Sequence, residues 1–405
     1  MDSTLHSLLG INRFLLERLG QWPHQSELNK ICSFISAVFF LFTQVLFQVF
    51  YKFFRITGGM IAASCDMPVF LESIPPVLVS FVCLIKFTNF IINAEKMKKL
   101  LNTMDYDWKT INDPEEKRIL HFWATRSRKY SAVCGSMVPF MLSPVVPMII
   151  RLFPEELISP NNSIALIRPL MFRVDYFLNI DKYYHLIVFH SIFGTLAYIT
   201  VAAGIDSMFL VYVQHACAMF HIIGFPHRHR VSHLSDDDNI DIDFKPHILN
   251  DKPYQQMVKC IIEHSKTLEF SQTIESANTM SFFLQLGMNM ITISFTGFQV
   301  VSTLDEPGIA FRNAGFSITQ TSILFFVSWP SQRLADESVK ACLATTRAAW
   351  YLTSSKTRQL LQLFIMRSAV PCQLTAGKFY LLNMQNFSAV VKTSVSYMMI
   401  LLSTQ

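Results

Sequence analysis

The chain has 405 residues, of which 51% are hydrophobic and only 16% charged, with a net charge of +5 and a mean hydropathy of +0.33. A soluble domain would carry about 25% charged residues, so these values exclude an ordinary soluble domain and point to a polytopic helical membrane protein. No basic stretch with interleaved aromatics offers a nucleic-acid face, and the surplus of positive charge reads as a topology signal.

The first 30 residues are amphipathic, with no long apolar core and no small-residue cleavage site, so no signal peptide is expected. Apolar stretches of spanning length follow at about seven places: 31–51, 69–92, 131–150, 186–213, 280–302, 310–330 and 387–402. The fourth contains Asp206, so its inner end is expected to project beyond the bilayer. The seventh is short and reads as the membrane half of a longer helix starting near Leu374. Segments 1–30, 93–130, 214–279 and 331–386 hold 25 Lys and Arg, whereas the connections on the other side hold six. The positive-inside rule therefore predicts a cytoplasmic N-terminus and an extracellular C-terminus. Asn161-Asn162-Ser163 is a glycosylation sequon in a loop this topology places outside, which marks Asn161 as the acceptor.

The long cytoplasmic connections have helical periodicity. Met97, Leu100, Leu101 and Met104 recur on one face, followed by Trp108, and Asp113-Pro114 reads as an N-cap and first helical position. Met257, Ile261, Ile262 and Leu268 repeat the pattern, and 331–384 has room for two helices divided near Pro371. Together these segments predict a cytoplasmic helical anchor. The expected organisation is a cytoplasmic segment 1–30, six spans with their loops over 31–330, anchor helices over 331–386 and a last spanning helix over 387–405.

In that last helix Ser388, Lys392, Ser396, Ile400, Ser403 and Thr404 share one face, opposite an apolar face through Phe387, Val390, Val391, Val395, Met398 and Leu402. A polar stripe in a spanning helix faces protein or water rather than lipid. Hydroxyls can line a hydrated path or bond back to their own helix, and an apolar residue in such a path closes it by dewetting, a role that fits Ile400. Lys392 lies near the inner end and can snorkel to the cytoplasm.

Other clusters carry little chemistry. The eight cysteines match no zinc or disulfide spacing. His227-Arg228-His229-Arg230 with His233 lacks a carboxylate or thiolate at ligand spacing and reads as a solvated loop, and the acidic run 236–243 lacks the Gly and Glu of a calcium loop. No phosphate loop or nucleophile elbow is present, so neither enzyme activity nor a cofactor is expected.

The C-terminal third resembles insect odorant receptors. The resemblance rests on Trp329-Pro330-Ser331-Gln332, Ser338, Trp350, Leu360-Leu361, Ile365-Met366-Arg367-Ser368, Pro371, Thr375-Ala376-Gly377, Phe387 and Val391-Lys392-Thr393-Ser394-Val395-Ser396-Tyr397. Met104-Asp105-Tyr106-Asp107-Trp108 looks like the family as well. The resemblance implies an all-α protein of seven transmembrane helices acting as an odorant-specific subunit of a heterotetrameric, ligand-gated, non-selective cation channel. Its implied partners are olfactory co-receptor subunits, a small volatile odorant, membrane lipid and permeant cations. Its implied location is the plasma membrane of olfactory sensory neuron dendrites. The pore residues would be Ser396, Ile400, Ser403 and Thr404, with Ile400 at a family gate position counted from Tyr397, and Thr404 one turn further out where the co-receptor is apolar.

The family places its ligand between the outer halves of spans two, three, four and six. Here that predicts Phe70, Ile74, Leu78, Phe140, Met141, Phe189, Phe193, Phe316, Thr319 and Gln320, a lining suited to a small apolar molecule with one or two polar groups for orientation. Pro75-Pro76 and Pro144 with Pro147 are expected to bend the second and third spans, which can open a cavity or leave only a kink. A gustatory receptor-type channel is one alternative, although its closing pattern is absent after Tyr397. A seven-helix G-protein-coupled receptor is the other, opposed by the expected cytoplasmic N-terminus.

Overall fold

Apolar residues repeating every three or four positions draw the chain into helices. The computed structural model describes residues 3–62, 67–136, 180–230, 252–346 and 350–404. In chain order the described elements are α1 (Ser3–Leu8), α2 (Gly10–Arg18), α3 (Glu27–Ala62), α4 (Met67–Ile92), α5 (Ala94–Thr110), α6 (Pro114–Ser136), α7 (Ile180–Arg230), α8 (Lys252–Ser302), α9 (Pro307–Thr346), α10 (Ser355–Ser368) and α11 (Met384–Ser403). A 3₁₀ turn at Trp350–Leu352 and a hairpin of β1 (Thr375–Ala376) and β2 (Tyr380–Leu381) complete them.

Helix α3 shows why the bundle suits a bilayer. Ala37, Leu41 and Gln44 are buried, while Leu28, Ile31, Ile35, Phe39, Phe42 and Leu46 form an exposed apolar stripe. Water would oppose so large an apolar face, whereas lipid solvates it. Among the described residues three helical stretches are long and apolar enough to cross a membrane: Glu27–Leu46, Ile74–Ile92 and Lys182–Gly224. Helices α8, α9 and α11 carry more Ser, Thr, Asn and Gln, for reasons that emerge at the site.

A large apolar core gathers residues of α5, α6, α9, α10, the C-terminal part of α7 and the N-terminal part of α8. Met97, Leu100, Leu101, Met104 and Trp108 all point inward, as their spacing predicts. Leu120, Trp123, Met208, Phe220, Met257, Ile274 and Phe364 join the same cluster. Burying each such side chain contributes about 1.5–3 kcal/mol. Asp113 Oδ1 accepts from Glu115 N at 2.9 Å ahead of Pro114, so the expected helix start is present. The short helices α1 and α2 pack Leu5, Leu9, Leu16 and Leu19 into this cluster, and Gly20 turns the chain away at φ +66°. A Cβ on Gly20 would meet Lys30 O at 2.3 Å, so no other residue fits there. His264 sits between the rings of Phe220 and Phe364, and burial, assisted by nearby Arg367, pushes its pKa down to about 4, leaving it neutral.

Several expectations need correction. The fourth, fifth and sixth stretches are parts of longer helices, with α7 and α8 each 51 residues and α9 40 residues long, and α7 is kinked near its start at Tyr183. Residues 227–230 therefore end α7 rather than lying in a loop, while His233 and the acidic run fall outside the described residues. Helix α9 continues through Pro330, and α4 through Pro75 and Pro76. Ile262 is exposed, and the inward face of α8 instead runs through Met257, Cys260, His264, Thr267 and Phe270. The chain after Pro371 is a hairpin and not a second anchor helix, so the last helix begins at Met384 rather than near Leu374. Gly377 and Lys378 both take positive φ to close that hairpin. Gly377 N donates to Thr279 O, docking the turn on α8. Asn383 then caps α11 by accepting from Asn386 N at 2.7 Å.

Asp206 is held between helices, and α7 runs on past it to Arg230. Its two carboxylate oxygens lie 2.7 and 2.6 Å from Lys86 Nζ, joining α7 to α4. Both side chains are largely withdrawn from the surface, at 3% exposure for Lys86 and 14% for Asp206.

Candidate ligand pocket and pore helix

Three contacts set the relative heights of the helices around the expected pocket. Asn89 Nδ2 donates to Ala277 O at 2.9 Å, so α4 and α8 meet there. Cys83 Sγ reaches Tyr198 O, and Lys86 reaches Asp206, so α4 and α7 run in the same direction. A tight turn at residues 303–306 joins α8 to α9, where Glu306 N donates to Thr303 O. With a rise of about 1.5 Å per residue, Ile74 and Leu78 of α4 are level with Phe189 and Phe193 of α7. Asn289 of α8 and Gln320 of α9, equally far from the turn, lie at the same height as that set.

The expected lining residues share a level but not a face. Thr319 and Gln320 are buried, and Ile74, Leu78 and Phe316 are half-buried. Phe189 and Phe193 are exposed, with Phe193 stacked on Phe40 of α3 at 5.5 Å. The inward face of α7 at that level runs instead through Ile187, Val188, Ser191 and Thr195. Thr319 has its hydroxyl engaged, donating to Gly315 O at 2.8 Å. Phe70 lies in the first turn of α4, with its side chain outside the described residues, and Phe140, Met141, Pro144, Pro147 and Asn161 also fall outside them.

Sequence reasoning missed α8. Asn278, Ser281, Gln285, Asn289, Thr292, Thr296 and Gln299 follow one another at three- and four-residue spacing, and all are buried. Read as a spanning segment by composition, this helix hides a polar stripe whose period was the available signal. Thr292 and Thr296 donate to the carbonyls of Met288 and Thr292 in their own helix. Gln285 leaves both amide atoms, and Asn289 its Nδ2, without a protein partner.

An adjoining face of α8 holds α11. Ser294 Oγ donates to Ser394 O at 3.0 Å, and Ile293, Leu324 and Val390 pack together. At Gly297 the helices approach so closely that a Cβ would meet Met398 Sδ at 2.7 Å. With Val390 and Ser394 committed inward, α11 turns Ser388, Lys392, Ser396, Ile400, Ser403 and Thr404 outward, and Val395, expected on the opposite apolar face, is exposed with Tyr397 and Met399 because only one side of the helix is packed. Ile400 is 55% exposed. The hydroxyls of Ser396, Ser403 and Thr404 donate to Lys392 O, Ile400 O and Leu401 O, leaving acceptor lone pairs toward the open side. Further down, Tyr130, Trp329, Phe325 and Phe387 form a chain of ring contacts from α6 through α9 to the base of α11.

This all-α, membrane-spanning bundle, with a buried polar stripe and one helix packed on a single side, defines a class of multi-pass membrane proteins with sites inside the bundle. A family model described as 7tm Odorant receptor matches residues 66–395. Odorant receptor 9a of Drosophila melanogaster is 25% identical over 228 residues, 56% of this chain and 54% of that receptor, so the match spans about half its length. Odorant receptor 13a of the same fly is 19% identical over 409 residues, covering 96% of this chain and 91% of that one. The fold also matches the insect olfactory receptor OR5 from Machilis hrabei in complex with eugenol, with a TM-score of 0.81, 14% identity and 100% coverage of both chains. A second structure of OR5 gives a TM-score of 0.76 at 13% identity, with 99% of each chain covered. The chain belongs to the insect odorant receptor family.

Proposed function

We propose that this chain is an odorant-specific subunit of a heterotetrameric, ligand-gated, non-selective cation channel. It assembles with olfactory co-receptor subunits in the plasma membrane of olfactory sensory neuron dendrites. The observation that carries the reading is the one-sided packing of α11. A helix carrying Ser388, Lys392, Ser396 and Ser403 on its open side is poorly suited to lipid, whereas a shared, water-filled pore accepts that face. Ile400 is the apolar member of the stripe and serves as the constriction, with Ser396 below it and Ser403 and Thr404 in the outer vestibule. Lys392 stays at the inner end. The ligand occupies the level of Ile74, Leu78, Phe316 and Gln320. Helix α9 links that level to the base of α11 through Phe325 and Phe387. Odorant binding opens the pore only through its difference in affinity between closed and open states.

Expression in a non-olfactory cell with and without an insect olfactory co-receptor tests the assembly. A volatile panel is expected to evoke cation current with the co-receptor and none without it. Equal currents in both conditions would overturn the heteromer.

A further inference from the structure

The family's ligand position draws on spans two, three, four and six, and α8 belongs to the fifth. We infer that Gln285 and Asn289 of α8 form the polar anchor of the ligand site and select odorants bearing a hydroxyl group, alcohols or phenols, over ethers, esters and hydrocarbons of the same skeleton. The inference rests on the channel reading above and deepens it.

The two amides lie one helical turn apart on one face, 2% and 1% exposed. Asn289 is level with Leu78 on α4 and Gln320 on α9, and Gln285 lies one helical turn deeper. Other polar residues of the stripe are committed, since Thr292 and Thr296 bond to their own helix and Asn278 Nδ2 donates to Ile274 O. Gln285 therefore presents a free acceptor and a free donor, and Asn289 a free donor, next to the apolar side chains of Ile74, Leu78 and Phe316. Buried amide atoms of this kind are strongly driven to find partners. A ligand hydroxyl answers both at once, donating to Gln285 Oε1 and accepting from Asn289 Nδ2. An ether or ester oxygen can only accept, so it leaves the Gln285 acceptor unmet. A site built to hydrogen-bond a substrate O–H rejects the analogue that lacks it far more strongly than an apolar pocket rejects a small change of size.

The test uses small primary alcohols and single-ring phenols, each paired with its methyl ether, applied to cells expressing this chain with an olfactory co-receptor. At least one hydroxyl compound is expected to evoke current at a concentration about tenfold below its ether, the ratio worth one good hydrogen bond. Gln285→Met and Asn289→Leu are each expected to raise the half-maximal concentration of the alcohol about tenfold and to change that of the ether by less than about threefold. The wild-type ratio tests the inference even where a substitution lowers expression. Equal shifts for alcohol and ether overturn it, as does a response to ethers, esters or hydrocarbons with none to any hydroxyl compound, and both results leave the channel reading standing. Silence toward every volatile, from a chain shown at the cell surface, overturns the channel reading and this inference with it.

Discussion

Asp206→Ala is expected to cost about 3–5 kcal/mol of stability, because it strands the buried Lys86 ammonium without its counter-ion. Lys86 Nζ makes both of its short contacts, at 2.7 and 2.6 Å, with that one carboxylate, and its side chain is 3% exposed. No backbone rearrangement of two packed helices moves a charge from that depth to water cheaply. The readout is surface-labelled protein together with the melting temperature of the detergent-purified chain, both of which should fall. The double variant Lys86→Met/Asp206→Leu should recover most of the loss, since an apolar pair of similar volume replaces a buried ion pair at little cost. A single variant as stable as wild type would mean that water reaches the pair.

Ile400→Ser is expected to raise the ligand-independent current about tenfold in cells expressing the chain with co-receptor. Ile400 is the apolar side chain on an outward stripe otherwise made of Ser388, Lys392, Ser396 and Ser403. In a closed pore its burial against neighbouring subunits contributes roughly 1.5 kcal/mol or more, about a factor of ten in the closed-to-open ratio. A serine there also wets the constriction. An unchanged basal current in Ile400→Ser at normal surface expression would place the gate elsewhere.

Local patterns were legible in the sequence, while pairings between distant segments were not. Met97, Leu100, Met104 and Trp108 announced α5 because burial on one helical face writes a three- and four-residue period. Asp113-Pro114 announced α6 because capping is a contact between near neighbours. The stripe of α11 was legible for the same reason. Lys86 and Asp206 pair across 120 positions, and nothing in local spacing couples them. The hairpin at 375–381 was hidden because its strands are two residues long and its flanks, Leu374 and Leu382, are as apolar as a helix face. Thr375-Ala376-Gly377 stood out as a family feature, and its physical reason is a turn with positive φ docked against Thr279 and Phe283. The outward placement of Phe189 and Phe193 depends on which side α3 covers, a tertiary fact. The polar face of α8 was concealed by averaging: a stretch can pass for a membrane span while every fourth residue is Asn, Gln, Ser or Thr.

In the proposed channel the open face of α11 lines the odour-gated pore. Reaction of Ser396→Cys with an externally applied, positively charged thiol reagent tests it most directly, using Val390→Cys as the buried comparison. Irreversible loss of odour-evoked current is expected in Ser396→Cys, faster when odorant is present, with no loss in Val390→Cys. An unreactive Ser396→Cys during odour-evoked current, or a reactive Val390→Cys, would contradict it.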